Sequence, residues 1–206
     1  MLVTDVLAFV RASLPDPPAR VLEVGAGQGE LAAELRNAGY DVLAIDPSSS
    51  SADVKPVTLD QLECAPGSFD AIVAVVSLHH VQPLPPACIK LAALLHNSGR
   101  LIIDEFDIGA FDERAAAWWC QQQAAAGRDH RHDQSSIVAE LRSHLHPLSR
   151  IQTELAPHFI LGDPIRGAYL YRWDLPHGFR ELEELQIARG QLPATGARLL
   201  ALPRHH

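Results

Sequence analysis

The chain has 206 residues, of which 47% are hydrophobic and 20% are charged. This is the composition of a globular protein, and it excludes disordered, collagenous and coiled-coil chains. The 25 acidic residues outnumber the 17 basic ones, which gives a net charge of −8, and no basic tract is present. Nucleic acid is therefore not an expected partner. The 3 cysteines are widely spaced and form no CxxC pair, so they encode neither a disulfide framework nor a zinc knuckle.

The apolar pattern predicts helices that alternate with strands. Helices are predicted over Thr4–Leu14, Glu30–Ala38, Pro86–Leu95, Asp112–Ala126 and Phe179–Gly190. Strands are predicted over Arg20–Gly25, Asp41–Asp46, Asp70–Leu78, Gly99–Glu105, Ala156–Leu161 and Ala168–Asp174. A weak strand is expected over Pro56–Leu59, and a final strand is expected to form a C-terminal appendage. This alternation predicts a doubly wound, mostly parallel α/β sheet in a single domain.

The location of the protein is predicted from two features. No uncharged run is long enough to cross a bilayer. The first residues lack the basic region of a signal peptide, and Asp5 follows at once. We therefore expect a cytoplasmic protein without a membrane partner.

A glycine-containing segment from Glu23 to Glu30 joins the first predicted strand to a helix. Gly25 and Gly27 would let backbone amides approach a ligand closely. A dinucleotide fingerprint needs a glycine where Glu30 stands, and the carboxylates of Glu23 and Glu30 would repel a pyrophosphate. A cationic ligand without phosphate, such as S-adenosylmethionine, suits this charge better. Asp46, at the tip of the second strand, can accept hydrogen bonds from both ribose hydroxyls.

Four segments resemble the successive motifs of class I S-adenosylmethionine-dependent methyltransferases: VLEVGAGQGELAAEL, AIDPS, SFDAIVAVVSLHHV and LLHNSGRLIIDEF. The resemblance covers residues 1–110, the cofactor-binding half. It implies a seven-stranded Rossmann-like sheet, a helical lid with the acceptor region over 111–157, and closing strands with a short C-terminal extension over 158–206. By resemblance, Gly25, Ala26 and Gly27 face the methionine and adenosine portions, Asp46 the ribose, Leu59 or Asp60 the adenine, and Ser77 the sulfonium; Glu23 and Pro47 lie within the same motifs.

Methylation of a hydroxyl requires a base, and histidine has a suitable pKa. His79 and His80 follow a strand at the carboxyl edge of the predicted sheet, and Glu105 ends the next strand. Strand alternation allows only one of Asp104 and Glu105 to face the site. Glu105 could orient a histidine, accept from a substrate hydroxyl, bind a cation or remain solvated, and either histidine could instead pack or bind substrate.

His144 is the general base that we favour from the sequence. It lies shortly before Pro147, after the region that must cover the cofactor. His144 and His146 are two residues apart, so only one of them should face the cleft of a helical lid. A structural contact or a role in capping the helix is the alternative for His144.

A magnesium or manganese site is left open, because carboxylates and histidines are dense in the second half. Its candidate ligands are Asp104, Glu105, Asp107, His130 and His144. Five aromatic residues either line an acceptor pocket or pack in the core: Trp118, Trp119, Tyr169, Tyr171 and Trp173.

We expect a methyltransferase that uses S-adenosylmethionine to methylate a hydroxyl of a small molecule, with a carbohydrate or polyol favoured. The alternatives are N-methylation and a non-catalytic cofactor-binding or interaction module. A homodimer is left open.

Overall fold

The computed structural model describes residues 4–128, 134–175 and 178–204. The helices in these ranges are α1 (Thr4–Ser13), α2 (Glu30–Asn37), α3 (Leu84–Leu94), α4 (Glu113–Ala125), α5 (Gln134–His144), α6 (Leu148–Leu155) and α7 (Phe179–Ala188). The strands are β1 (Arg20–Val24), β2 (Asp41–Ile45), β3 (Phe69–Val75), β4 (Leu95–Phe106), β5 (Phe159–Leu161), β6 (Ile165–Gly167) and β7 (Gly196–Pro203). Two 3₁₀-helices, Leu78–His80 and Leu170–Arg172, follow β3 and β6. None of the described helices is both long enough and apolar enough to cross a membrane.

The seven strands form one sheet in the order β2-β1-β3-β4-β7-β5, and β6 also pairs with β7. Strands β1 to β4 pair in parallel, whereas β7 runs antiparallel to β4, β5 and β6. Six strands therefore point in one direction, which confirms the predicted doubly wound, mostly parallel α/β sheet. The carboxyl ends of β1 to β4 meet at one edge, which is where open α/β sheets bind ligands.

Apolar side chains cover both faces of the sheet. On one face, Leu91 of α3 and Ile151 of α6 are fully buried. On the other face, Val10 of α1 and Leu35 of α2 are fully buried. A third cluster lies beyond the end of β4, where Phe106 packs with residues of α4 and α5. Each such side chain stabilises the fold by roughly 1.5–3 kcal/mol relative to an exposed one, so the carboxyl edge rests on a firmly packed base.

The weak strand predicted over Pro56–Leu59 is wrong. The structure has only a single parallel bridge there, between Ile45 and Lys55. Proline has no backbone N–H to donate to a strand ladder, so pairing stops at Pro56.

The strand predicted over Ala168–Asp174 is also wrong, because this segment forms the 3₁₀-helix Leu170–Arg172. The buried carboxylate of Glu183 accepts the backbone N–H groups of Tyr169, Leu170 and Tyr171 at 2.8, 3.0 and 2.8 Å. These donors are therefore unavailable for pairing with a neighbouring strand.

The prediction that the final strand forms a C-terminal appendage is wrong. Strand β7 lies inside the sheet, between β4 and the two short strands β5 and β6. Its alternate residues Ala197, Leu199 and Ala201 are buried. The last strand in sequence thus completes the core of the sheet, a placement that the order of elements along the chain does not reveal.

Candidate active site

The loop after β1 needs glycine for two different reasons. Gly25 has a φ of +74°, and a Cβ added there would lie 2.3 Å from the Cβ of Ser77. Gly27 has a φ of +57°, and a Cβ added there would meet no atom within 4 Å. Gly25 therefore permits close contact between two segments, whereas Gly27 borders open space that a ligand can occupy.

Asp46 follows β2 and faces this loop. Its Oδ2 accepts the Gly27 N–H at 2.9 Å, and its Oδ1 accepts the Ser48 N–H at 2.8 Å. Each oxygen retains a lone pair, so the fixed carboxylate can also accept hydrogen bonds from ligand hydroxyls. Asp46 lines a cavity of about 680 Å³, which we call the nucleoside cavity. The same cavity is lined by other residues predicted for the cofactor: Gly25, Pro47, Leu59, Asp60 and Ser77.

A second cavity of about 290 Å³, the head-group cavity, is lined by Glu23, Ala26 and Gly27 and shares Gly25 and Val76 with the nucleoside cavity. Glu23 is 3% exposed. Its Oε2 has no hydrogen-bond partner among the described residues. Burial disfavours the charged form and raises the pKa of Glu23 to about 8. A cationic group of a ligand would satisfy this carboxyl.

Val76 has an unusual backbone conformation where the cavities meet. Its φ is +52°, which a β-branched residue rarely adopts. Its N–H donates to the Asp104 carbonyl at 2.7 Å, and the chain then turns into the 3₁₀-helix Leu78–His80. Val76 lines both cavities described above and a third one. Strained backbone of this kind clusters at functional sites.

Glu105 is fully buried and holds this 3₁₀-helix in place. Its Oε1 accepts the N–H groups of Ser77 and Leu78 at 3.0 and 2.6 Å, and its Oε2 contacts Nδ1 of His79. With Nδ1 donating to the carboxylate, Nε2 is the His79 nitrogen that can take up a proton. Strand alternation turns Asp104 to the opposite face, where it pairs with arginines.

The third cavity, the acceptor cavity, has a volume of about 320 Å³ and lies beside His79. Its lining consists of three histidines and six other side chains: His79, His80, His144, Val76, Phe106, Leu141, Leu145, Tyr169 and Trp173. None of these lining residues is Asp, Glu, Lys or Arg. The rings of Phe106 and Tyr169, which both line the cavity, stack with centroids 4.8 Å apart, so part of its wall is aromatic.

The other histidines differ in their surroundings. His144, at the end of α5, is exposed. His146 is buried. Its backbone N–H donates to the His79 carbonyl at 2.9 Å, and its ring nitrogen Nε2 lies 3.0 Å from the Val81 carbonyl oxygen. Partial burial, together with the neighbouring His79, lowers the pKa of His80. His146 therefore supports the loop, while His80 and His144 face the acceptor cavity.

Comparison with known proteins identifies the family. A family model described as a methyltransferase domain matches residues 2–144, which is more than half of the chain. The chain belongs to this methyltransferase family. The S-adenosylmethionine-dependent methyltransferase from Mesorhizobium loti superposes with a TM-score of 0.61 at 16% identity, covering 97% of this chain and 96% of that chain. The predicted resemblance to class I methyltransferases and their Rossmann-like fold is thus confirmed.

Curated relatives of this methyltransferase-family chain match only part of it. A ubiquinone biosynthesis O-methyltransferase from Xanthomonas campestris is 35% identical over 113 residues, 47% of each chain. A demethylmenaquinone methyltransferase from Beutenbergia cavernae is 32% identical over 100 residues, 44% of this chain and 42% of that one. The match therefore spans about half the length of these relatives. A neighbour in fold, the 1,6-didemethyltoxoflavin-N1-methyltransferase from Burkholderia thailandensis, was solved with bound S-adenosylhomocysteine; its TM-score is 0.57 at 16% identity, covering 98% of this chain and 78% of that chain.

The carboxylates that sequence reasoning offered as metal ligands are engaged otherwise in this methyltransferase fold. Asp104 pairs with Arg172 and Arg198. Asp107 accepts two backbone N–H groups and pairs with a third arginine. Across residues 4–128, 134–175 and 178–204, no group of three or more His, Cys, Asp or Glu side chains is placed to hold a metal ion. The donor set described does not fit magnesium, and His130, with the rest of 129–133, lies outside the described residues.

Only two of the five aromatic candidates line the acceptor cavity, namely Tyr169 and Trp173. Trp118 and Trp119 are buried in the third apolar cluster. The Tyr171 hydroxyl donates to an aspartate in a separate, arginine-lined cleft.

Sequence reasoning missed several residues that line the cavities. Lys90 lines the nucleoside cavity and donates to the Asp60 carbonyl at 2.7 Å. Arg172 lines the head-group cavity, and Val76 joins all three cavities. None of the four quoted motifs contains Lys90 or Arg172, which tertiary structure alone brings to the site. Val76 lies within the motif SFDAIVAVVSLHHV, but the sequence does not indicate its backbone conformation.

Proposed function

We propose that this chain transfers a methyl group from S-adenosylmethionine to a hydroxyl on an apolar, ring-containing small molecule, with His79 as the general base. The observation that carries the proposal is the buried pair of Glu105 and His79, which borders an apolar cavity next to the glycine loop. The proposed site thus combines a place for a cationic cofactor, a base and room for an acceptor.

Three observations support S-adenosylmethionine as the ligand of the first two cavities. Gly27 borders open space, Asp46 presents a fixed carboxylate, and Glu23 carries an orphaned buried oxygen. Acidic side chains would repel phosphate but attract an amine and a sulfonium. We therefore assign Asp46 to the ribose hydroxyls and Glu23 to the amino group. The bound cofactor supplies an electrophilic methyl group, so the chain must orient the acceptor and remove its proton.

Glu105 gives His79 the properties of a base. Its carboxylate fixes the tautomer in which Nε2 is unprotonated, and it stabilises the imidazolium that forms when Nε2 takes the hydroxyl proton. Burial excludes water from the pair, which strengthens the interaction between the two charges. The two backbone N–H groups on Oε1 hold the carboxylate in place.

The sequence favours His144 as the general base, but the geometry favours His79. His144 is exposed and ends a helix, whereas His79 is 2% exposed and has a buried carboxylate partner. We assign His80 and His144 to the wall of the acceptor cavity, where their imidazoles can hydrogen-bond an acceptor.

The lining of the acceptor cavity also favours a different acceptor from the expected polyol. A polyol needs many hydrogen-bonding partners, and most of this wall is aliphatic or aromatic. A phenol-like ring with one hydroxyl would bury apolar surface against Phe106 and Tyr169 and present its hydroxyl to a histidine. The Xanthomonas relative is named as an O-methyltransferase, which supports oxygen as the atom methylated here.

The test is turnover of S-adenosylmethionine to S-adenosylhomocysteine with panels of phenols, polyols and amines. We expect turnover with phenols, and we expect His79→Gln to lower kcat by about a hundredfold or more while leaving S-adenosylhomocysteine affinity nearly unchanged. His96→Gln is the matched control, because His96 is exposed near the start of β4, at the other end of that strand from Glu105. Turnover with amines alone would indicate N-methylation. Cofactor binding without any turnover would favour a non-catalytic module.

A further inference from the structure

The head-group cavity has a basic wall in addition to its acidic one. Arg172 lines it together with Glu23 and the backbone of Gly25 to Gly27. Arg172 belongs to the 3₁₀-helix after β6 and lies beyond residue 144, where the family match ends. Arg172 therefore lies outside the part of the chain that shows the family.

The guanidinium of Arg172 has donors to spare. Its side chain is 12% exposed, and among the described residues it hydrogen-bonds Asp104 alone, through Nη1 at 2.5 Å. A guanidinium has five N–H donors in a fixed plane, which suits a carboxylate. Asp104 also pairs with Arg198 at 2.8 Å, so it neutralises Arg172 only in part.

The surrounding structure holds Arg172 rigidly. Its guanidinium carbon lies 4.9 Å from the centroid of the Tyr169 ring. Glu183 anchors the 3₁₀-helix by accepting three consecutive backbone N–H groups, at 2.8 to 3.0 Å. A side chain held in this way loses little conformational entropy when it binds a ligand, which favours a binding role.

We propose that Arg172 binds the carboxylate of the amino-acid portion of the cofactor, opposite Glu23, which takes the amino group. The inference rests on the proposed function, because it presupposes that S-adenosylmethionine occupies the cavity. An acid and a base on one cavity match a zwitterion, whereas Glu23 alone would select any cation. The C-terminal segment thereby completes the cofactor site that the glycine loop begins.

The test compares two ligands by isothermal titration: S-adenosylhomocysteine, and its decarboxylated analogue, which keeps the nucleoside, thioether and amine. We expect the wild-type chain to prefer S-adenosylhomocysteine. In Arg172→Gln, affinity for S-adenosylhomocysteine should fall by about ten- to a hundredfold, the range for a hydrogen bond to a charged group, while affinity for the analogue stays nearly unchanged. Arg198→Gln is the matched control, because Arg198 pairs with the same Asp104 but does not line the cavity.

Equal losses for both ligands in Arg172→Gln, or an equal loss of preference in Arg198→Gln, would overturn the assignment. Binding of the analogue also reports whether Arg172→Gln is folded. If it is not, Arg172→Lys, which keeps the charge but not the planar fork, should show a smaller loss of the same preference, and an unchanged preference would count against the proposal. A wild-type chain that binds neither ligand would refute the proposed function itself.

Discussion

Binding of the cofactor should release a proton from Glu23. In the free protein, burial raises the pKa of Glu23 to about 8, so at pH 7 about nine-tenths of the molecules hold this proton. A cationic amine beside the carboxyl favours its charged form and lowers the pKa again. We therefore expect release of about 0.9 proton for each S-adenosylhomocysteine bound at pH 7, and an affinity that rises as the pH approaches 8.

The same raised pKa fixes the sign of a stability effect. Between pH 4.5, the ordinary pKa, and about 8, the folded chain keeps a proton that the unfolded chain has lost. The free energy of unfolding of the ligand-free protein therefore falls as pH rises through this range and is level above it. At roughly 1.4 kcal/mol for each tenfold change in proton affinity, the loss at pH 7 is about 3 kcal/mol. Glu23→Gln should remove this loss of stability, apart from the free energy that burying an amide without hydrogen-bond partners costs.

Two measurements check these expectations. Titration calorimetry at pH 7 in buffers with different ionisation enthalpies gives the number of protons released on binding. Urea unfolding at pH 5, 6, 7 and 8.5 gives the stability of the ligand-free chain. The control is Glu34→Gln, which makes the same change of charge at an exposed position. Glu34 lies on α2 and pairs with Arg11. We expect Glu34→Gln to retain the proton release, and Glu23→Gln to lose both the release and most of the affinity.

The reasoning fails if binding releases no proton, or if Glu23→Gln releases as many as the wild type. It also fails if the stability of Glu23→Gln relative to the wild type is the same at pH 5 and pH 8.5. The first two results would mean that the bound ligand does not contact the carboxyl of Glu23, and the third would mean that burial does not raise its pKa.

Other substitutions test separate parts of the site. Gly25→Ala should lower the free energy of unfolding by about 2 kcal/mol or more, because its Cβ would overlap Ser77 at a positive φ. Gly27→Ala should lower the free energy of unfolding by only about 1 kcal/mol but should impair cofactor binding. Urea unfolding measures the first effect and calorimetry the second, and equal stabilities of the two variants would contradict the geometry. Asp46→Ala should abolish measurable affinity for S-adenosylhomocysteine in calorimetry, and unchanged affinity would refute the ribose assignment. Glu183→Gln keeps one acceptor oxygen for Tyr169 and Leu170 but replaces the acceptor of the Tyr171 N–H with a donor. It should therefore destabilise the chain by about 1–3 kcal/mol in urea unfolding, and a neutral result would mean that the hydrogen bond from Tyr171 is dispensable.

The first half of the fold follows from the sequence because its signals are local. Strands β1 and β2 are short apolar runs flanked by glycine or aspartate, and their predicted bounds differ from the observed ones by one residue. The clash of a Cβ at Gly25 with Ser77, by contrast, depends on two segments more than fifty residues apart. Periodicity predicts that a glycine is present at a turn, but not which atoms it must approach.

One segment of the second half is harder to predict because a distant buried side chain decides its structure. The aromatic pattern of the segment Ala168–Asp174 favours a strand, yet Glu183 captures its backbone donors. A charged residue in an amphipathic helix is usually exposed, so nothing in the sequence indicates that Glu183 points inward. Arg172 lies in this segment, so the predicted strand gives no reason to place its side chain at the head-group cavity.

The point at which the family match ends has a consequence for the choice of acceptor. The family match ends at residue 144, and up to that point the chain supplies the glycine loop, Asp46, and the pair of His79 and Glu105. The later residues Tyr169 and Trp173 form part of the acceptor wall, and Tyr169 also lines the head-group cavity. A cofactor that fills the head-group cavity would therefore contact a residue that also shapes the acceptor cavity. Three of the nine residues that line the acceptor cavity, Leu145, Tyr169 and Trp173, lie beyond the family match. Relatives that share only the first half of the chain can therefore differ from it in this part of the proposed acceptor wall.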